Sequence, residues 1–199
     1  VNVADRVDLI AGTSTGSIIA AALACGISPD RILDLYTTRC GEIFIRRKTW
    51  HPQKWQQGFT SAYNSNGLSR VLEDVFKNTK LKEVNRPLII PSTDLGNGGV
   101  HVFKSAYSKD FVRDPDVLVR SAVLASCSAP TYFDPAKVDS YLLSDGGLWA
   151  NNPSLIAYVD AQRRLGASPT DIKILSLGTG HSKVAYGTDP NRHWGLLNG

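Results

Sequence analysis

The sequence predicts an α/β fold on a largely parallel sheet, and three observations carry that expectation. Apolar runs of strand length alternate with apolar stripes at helical spacing along the chain. Glycine and proline punctuate the boundaries between them. A serine and a carboxylate, Ser14 and Asp145, each follow a strand-like run and each stand on a glycine turn. Ligands of α/β sheets collect beyond the carboxyl ends of the strands, where both residues are expected to lie.

The elements follow in order. Residues 7–11 read as a buried strand and 17–24 as a packed helix, with Gly12-Thr13-Ser14-Thr15-Gly16 between them. Strand, Gly-x-Ser-x-Gly, helix is the context of a nucleophile elbow. Gly12 and Gly16 are expected because neighbouring side chains would block so sharp a turn. A phosphate cradle is the competing reading of a glycine-rich helix start. No lysine follows the loop as a P-loop requires, and the dinucleotide-binding glycine spacing is absent.

Ser28 and Pro29 open a second helix, expected to turn Ile32, Leu33 and Tyr36 inward. Residues 44–65 lack a period and read as an irregular surface excursion. Leu68, Val71, Leu72, Val75 and Phe76 then form the apolar stripe of a surface helix. Strands are expected at 88–90 and 100–103, joined through the turn-rich 94–99. Asp114-Pro115 reads as the start of a helix running through Leu118, Ala122 and Leu124. Residues 140–143 form a short strand leading into Asp145, and Asn152-Pro153 caps a helix that ends near Gly166. The last strand is expected at 172–177.

Composition sets the outer bounds. With 199 residues, 42% hydrophobic and 20% charged, the chain reads as one globular domain over residues 1–199. No apolar run reaches the ~18 residues of a membrane span. Cys25, Cys40 and Cys127 are odd in number and lack metal-ligand spacing, which points to a reducing compartment and a cytoplasmic location. The net charge of +4 permits attraction to anionic surfaces. It is concentrated in Arg46, Arg47, Lys48 and Lys54, interleaved with Trp50 and Trp55. That stretch reads either as a peripheral membrane contact at lipid headgroups or as a solvated loop whose aromatics pack on the core. There is no methionine, and the elbow strand begins almost at Val1, so the chain reads as a segment incomplete at its N-terminus.

A serine nucleophile needs a base, and histidine is the usual one. The candidates are His51, His101, His181 and His193. The order Ser14, Asp145, His181 is that of the α/β-hydrolases, and His181 follows a strand-like run. Against it, Gly146 and Gly147 after Asp145 would let the carboxylate approach a neighbouring backbone closely. The other three histidines have no supporting context.

Four blocks then carry a resemblance to the patatin-like phospholipase family: residues 8–20 around Ser14, residues 125–133 (Ala-Ser-Cys-Ser-Ala-Pro-Thr-Tyr-Phe), residues 145–153 beginning Asp145-Gly146-Gly147, and residues 175–180. They occur in the family's order, and only the first is generic to serine hydrolases. The resemblance implies a three-layer fold with helices on both faces of the sheet. It implies a Ser-Asp dyad, with Ser14 as nucleophile and Asp145 as proton acceptor, Gly12, Thr13, Thr15 and Gly16 forming the elbow, and Gly146 and Gly147 the acid turn. The implied reaction is acyl-ester hydrolysis of phospholipids or lysophospholipids, without metal or cofactor. The family's Asp-Gly-Gly-Gly-x-Arg/Lys oxyanion loop has no match ahead of Ser14, so the first strand and that loop are expected to be missing. A lipid-binding module without the chemistry is therefore the reading from another class. No nucleic-acid partner is expected, because no basic-aromatic motif has a recognised fold around it.

Overall fold

A computed structural model describes residues 3–43 and 61–180. The basic-aromatic stretch holding Arg46, Arg47, Lys48, Trp50, Lys54 and Trp55, together with His51, His181 and His193, lies outside the described residues.

The α/β class holds: helices alternate with a five-stranded sheet. Strand β1 (Ile10–Ala11) leads through the Ser14 turn into α1 (Thr15–Ala24). Helices α2 (Pro29–Thr38), α3 (Cys40–Ile43) and α4 (Ser65–Phe76) precede the hairpin of β2 (Leu88–Asp94) and β3 (Gly99–Lys104). Helix α5 (Val119–Ser126), strands β4 (Ala136–Val138) and β5 (Tyr141–Asp145), and helices α6 (Gly147–Ala150) and α7 (Ser154–Arg163) follow.

The pairing is mixed, which corrects the expectation of a largely parallel sheet. Among the described residues only β1 and β2 run parallel; β3 and β5 are antiparallel to β2, and β4 is antiparallel to β5. The connections explain this, because the links from β2 to β3 and from β4 to β5 are too short for the crossover a parallel pair needs. In the first link Asp94 Oδ1 accepts from the backbone of Gly96 and Asn97, at 3.0 and 3.1 Å, closing a tight turn.

Strand β2 is the hub. Residue for residue, β3 occupies one of its edges from Ile89 to Asp94. The other edge is shared: β1 takes the stretch at Leu88 and Ile89, and β5 takes Ser92 to Asp94 from the opposite direction. Between them sits Pro91. A proline mid-strand would break a continuous ladder, but here its missing N–H falls in the gap between two neighbouring strand ends. That is why β2 runs on through Pro91, beyond the stop expected at residue 90.

The core lies between the sheet and helices α1, α4 and α5. Leu68, Val71, Leu72 and Phe76 of α4 are buried as their spacing predicts. Helix α1 is rich in alanine, which lets its backbone approach the sheet; Ala20, Ala21, Ala22 and Ala24 are all buried. Phe103 belongs to this core, whereas the neighbouring Lys104 bonds Asp160 of α7. Successive strand residues face opposite ways, so α7 covers the other face of the sheet.

Four local expectations change. Only Ile10 and Ala11 of the stretch 7–11 pair as strand, because β2 starts at Leu88 and offers no earlier partner. In α2 Leu33 is 64% exposed and Leu35 is buried, since Ile32, Leu35 and Tyr36 share the inward stripe. Helix α5 begins at Val119 rather than near Asp114: the Val117 N–H donates to the Asp114 carbonyl in a single turn, and the carbonyls of Pro115 and Val117 accept from Lys82 and Leu81 instead of from a continuing helix. Residues 172–177 belong to no strand among the described residues, and Leu177 is 84% exposed. An apolar alternation marks a tendency to pair, but a strand exists only where an edge accepts it.

Candidate active site

Ser14 ends the short link after β1 and caps α1, at the positive end of that helix. Its backbone is strained, at φ 53 and ψ −132, a combination that side-chain-bearing residues rarely adopt. The strain lies on the serine itself and not on the glycines beside it. Gly12 is needed for packing, because a Cβ there would stand 2.3 Å from the Gly16 carbonyl oxygen and 2.6 Å from Ala20 Cβ. Gly16 is different from the expectation: a Cβ there would meet nothing within 4 Å. Thr13 is buried and donates to the Ala150 carbonyl at 2.7 Å, tying the elbow to α6. Thr15 is exposed, and its carbonyl accepts from the Tyr36 hydroxyl at 2.7 Å.

Asp145 ends β5 and is 5% exposed. Its Oδ2 accepts from Ser14 Oγ at 2.6 Å, and its Oδ1 accepts from the Gly147 N–H at 2.6 Å. Both glycines of the turn have a steric reason. A Cβ on Gly146 would lie 2.2 Å from the Pro91 carbonyl oxygen, and one on Gly147 would lie 3.0 Å from Asp145 Oδ1. The Asp145 backbone is also pinned, its N–H donating to Ser128 and its carbonyl accepting from Thr93 Oγ1 at 2.7 Å. Burial pushes the carboxyl above the ordinary aspartate range, against the opposing pull of the hydrogen bonds from Ser14 and Gly147.

The two residues meet because β1 and β5 share an edge of β2 and point at each other. Ala11 sits opposite Ile89 and Asp145 opposite Ser92, so the three residues after Ala11 bring Ser14 up to the end of β5. The gap between the strand ends is filled from α5. Ser126 Oγ donates to the Pro91 carbonyl at 2.6 Å and accepts from the Ser14 N–H at 3.0 Å. Ser17 Oγ donates to the Ser14 carbonyl at 2.6 Å. The sequence offered Ser126 only as one small residue in the run 125–133, and nothing local to that run says what its hydroxyl meets.

A hydroxyl donating to a carboxylate is an arrangement in which the carboxylate can take the proton as the oxygen attacks a carbonyl. The bond from Ser14 to Asp145 is direct, and among the described residues no imidazole stands between the two groups. His101, the histidine among the described residues, sits in β3 with its ring against Phe103 and Tyr141 and its Nε2 4.0 Å from Asp114. Burial lowers its pKa, which favours the neutral ring. Among the described residues no group of three or more His, Cys, Asp or Glu is placed to hold a metal ion. Cys127, next to Ser126, is buried and its thiol is pushed up to about 12, so it stays protonated at neutral pH.

A family model for patatin-like phospholipase matches residues 2–158. The chain is similar to a cGAMP-activated phospholipase of Vibrio cholerae, 34% identical over 89% of this chain and 54% of that protein. It is 32% identical to a cUMP-AMP-activated phospholipase of Escherichia coli, over 88% of this chain and 54% of that one. It is 27% identical to patatin-like protein 4 of Arabidopsis thaliana, over 100% of this chain and 56% of the plant protein. The chain thus spans about half the length of the curated relatives it matches.

Proposed function

The chain belongs to the patatin-like phospholipase family, and from that premise we propose that it hydrolyses the carboxylic esters of phospholipids or lysophospholipids with Ser14 as nucleophile and Asp145 as its base. The observation that carries this reading is the direct 2.6 Å hydrogen bond from Ser14 Oγ to Asp145 Oδ2.

In the first half-reaction Ser14 Oγ attacks the ester carbonyl while its proton passes to Asp145. The tetrahedral intermediate collapses to an acyl-Ser14 ester, and Asp145 returns the proton to the departing alcohol, a lysophospholipid or glycerophosphodiester. Water then attacks the acyl-enzyme with Asp145 again as base, and a fatty acid leaves. A carboxylate is a weak base for a hydroxyl, and its burial partly makes up for this by raising its basicity. Positioning and charge stabilisation supply the rest. The N–H of Thr15, the first residue of α1, has no intrahelical carbonyl to meet and stands where a nucleophile elbow presents one oxyanion donor. The stretch 44–55 remains our proposed peripheral membrane contact on the strength of its four cations and two tryptophans.

Intact-mass analysis after fluorophosphonate treatment tests the proposal on the chain, on Ser14→Ala and on Asp145→Asn. The expected result is one adduct on the parent chain, none on Ser14→Ala, and labelling slowed by several hundredfold or more on Asp145→Asn. Fatty acid release from phosphatidylcholine vesicles should follow the same order. A parallel series with cGAMP or cUMP-AMP asks whether the activation stated in the names of the bacterial relatives applies here. A folded chain that takes up no label under any of these conditions overturns the reading.

A further inference from the structure

Ser14 is held in a strained conformation by groups outside its own turn, and one of them is placed at the junction of three elements. Ser126 is the last residue of α5 and is fully buried, at 0% exposure. Its hydroxyl has one hydrogen to donate, and that hydrogen goes to the Pro91 carbonyl at 2.6 Å. This fixes the rotor and turns the oxygen lone pairs toward the Ser14 N–H, 3.0 Å away.

The two partners leave little choice of side chain. Pro91 presents a carbonyl with no strand beside it, because β1 ends before it and β5 ends after it. Ser14 presents an N–H that its φ of 53 turns away from a helical or ladder partner. One buried position must donate to the Pro91 carbonyl and accept from the Ser14 N–H, in the space of a hydroxymethyl group. A hydroxyl does both; alanine does neither, and full burial denies water the vacancy.

We propose that Ser126 is a positioning residue of the active site: by bridging the Ser14 N–H to the Pro91 carbonyl, it holds the nucleophile's backbone in the conformation that aims Oγ at Asp145. The role rests on the Ser14–Asp145 reading. It differs from a purely structural role, since it predicts a loss in the chemical step beyond any loss of stability. Misplacing a reacting atom by about 1 Å lowers the rate on the order of a hundredfold.

Ser105 supplies the matched comparison. Its buried hydroxyl likewise accepts a backbone N–H, that of Leu88 at 2.9 Å, at the other end of β2. The experiment compares Ser126→Ala with Ser105→Ala in fluorophosphonate labelling rate, in kcat and KM on a soluble ester, and in thermal midpoint. Ser126→Thr and Ser126→Val form a second pair, equal in bulk and differing in the hydroxyl. Both alanine variants are expected to lose a similar amount of Tm. Only Ser126→Ala should lose labelling rate and kcat, by roughly a hundredfold with KM little changed, and Thr should label well ahead of Val. Labelling of Ser126→Ala at the parent rate, or equal rates for Thr and Val, overturns the inference while leaving the Ser14–Asp145 reading intact. A folded parent chain that does not label at all overturns that reading and the inference with it.

Discussion

At the scale of the residue, Asp145 carries opposing demands. It must be ionised to accept a proton, and it is buried where ionisation is unfavourable. Its raised pKa sets the expected pH dependence of activity: the acid limb of kcat/KM lies above the ordinary aspartate range of about 4. A pH–rate profile checks this, and an acid limb at the ordinary value contradicts it. The same shift has a stability consequence of opposite sign. Between the unfolded and folded pKa values the folded chain binds the proton and the unfolded chain does not, so stability falls as pH rises through that window. Asp145→Asn removes the term. Its thermal midpoint should therefore gain on the parent's as pH rises through the window and keep a constant lead above it, as melting curves from pH 4 to 8 would show.

At the scale of the element, the site is made by an edge that two strands share. Neither β1 nor β5 pairs with the other, yet their ends converge because β2 holds both on one side with Pro91 between. Glycine in the acid turn follows from this arrangement. Gly146→Ala would drive a Cβ to 2.2 Å from the Pro91 carbonyl oxygen, so either β2 or the turn must move. We expect a loss of roughly 1–3 kcal/mol or more, with esterase activity lost alongside. Gly16→Ala meets open space within α1 and should hold or raise stability by about 0.5–1 kcal/mol. Urea midpoints of the two variants check the contrast, and equal effects would show that the turn is more compliant than its packing implies.

At the scale of the whole molecule, the two faces of the sheet are secured by different forces. The face toward α4 and α5 is a continuous apolar core holding Leu72, Phe76, Phe103 and Val123. Replacing Phe76 with alanine there should cost about 3–5 kcal/mol. The other face is tied to α7 by polar contacts. Asp160 is buried, and it accepts from Lys104 Nζ at 2.9 Å and from the Tyr107 hydroxyl at 2.5 Å. Burial, and then the bond to Asp160, push the Tyr107 phenol far above its usual range. Removing one partner of such a cluster leaves a lysine and a phenol unsatisfied, so Asp160→Ala should lose roughly 2–4 kcal/mol. Protease cleavage within α7 should accelerate in that variant before the core unfolds; equal protection in both chains would show that α7 is held by something else.

What sequence determined by itself was local chemistry and periodicity. The stripe of α4 was legible because Leu68, Val71, Leu72 and Phe76 sit on one side of a helix whatever they pack against. The Gly-x-Ser-x-Gly turn and the Asp-Gly-Gly turn were legible for the same reason, since each needs small residues within a few positions of its polar group. Tertiary structure alone decided the direction of β5, the run of β2 through Pro91, the start of α5, and the unpaired state of residues 172–177. It also decided that Ser126 reaches Ser14 across 112 positions. Those outcomes depend on which edge or backbone group is vacant when two distant segments meet, and a vacancy is a property of the assembled sheet, with no period along the chain to announce it.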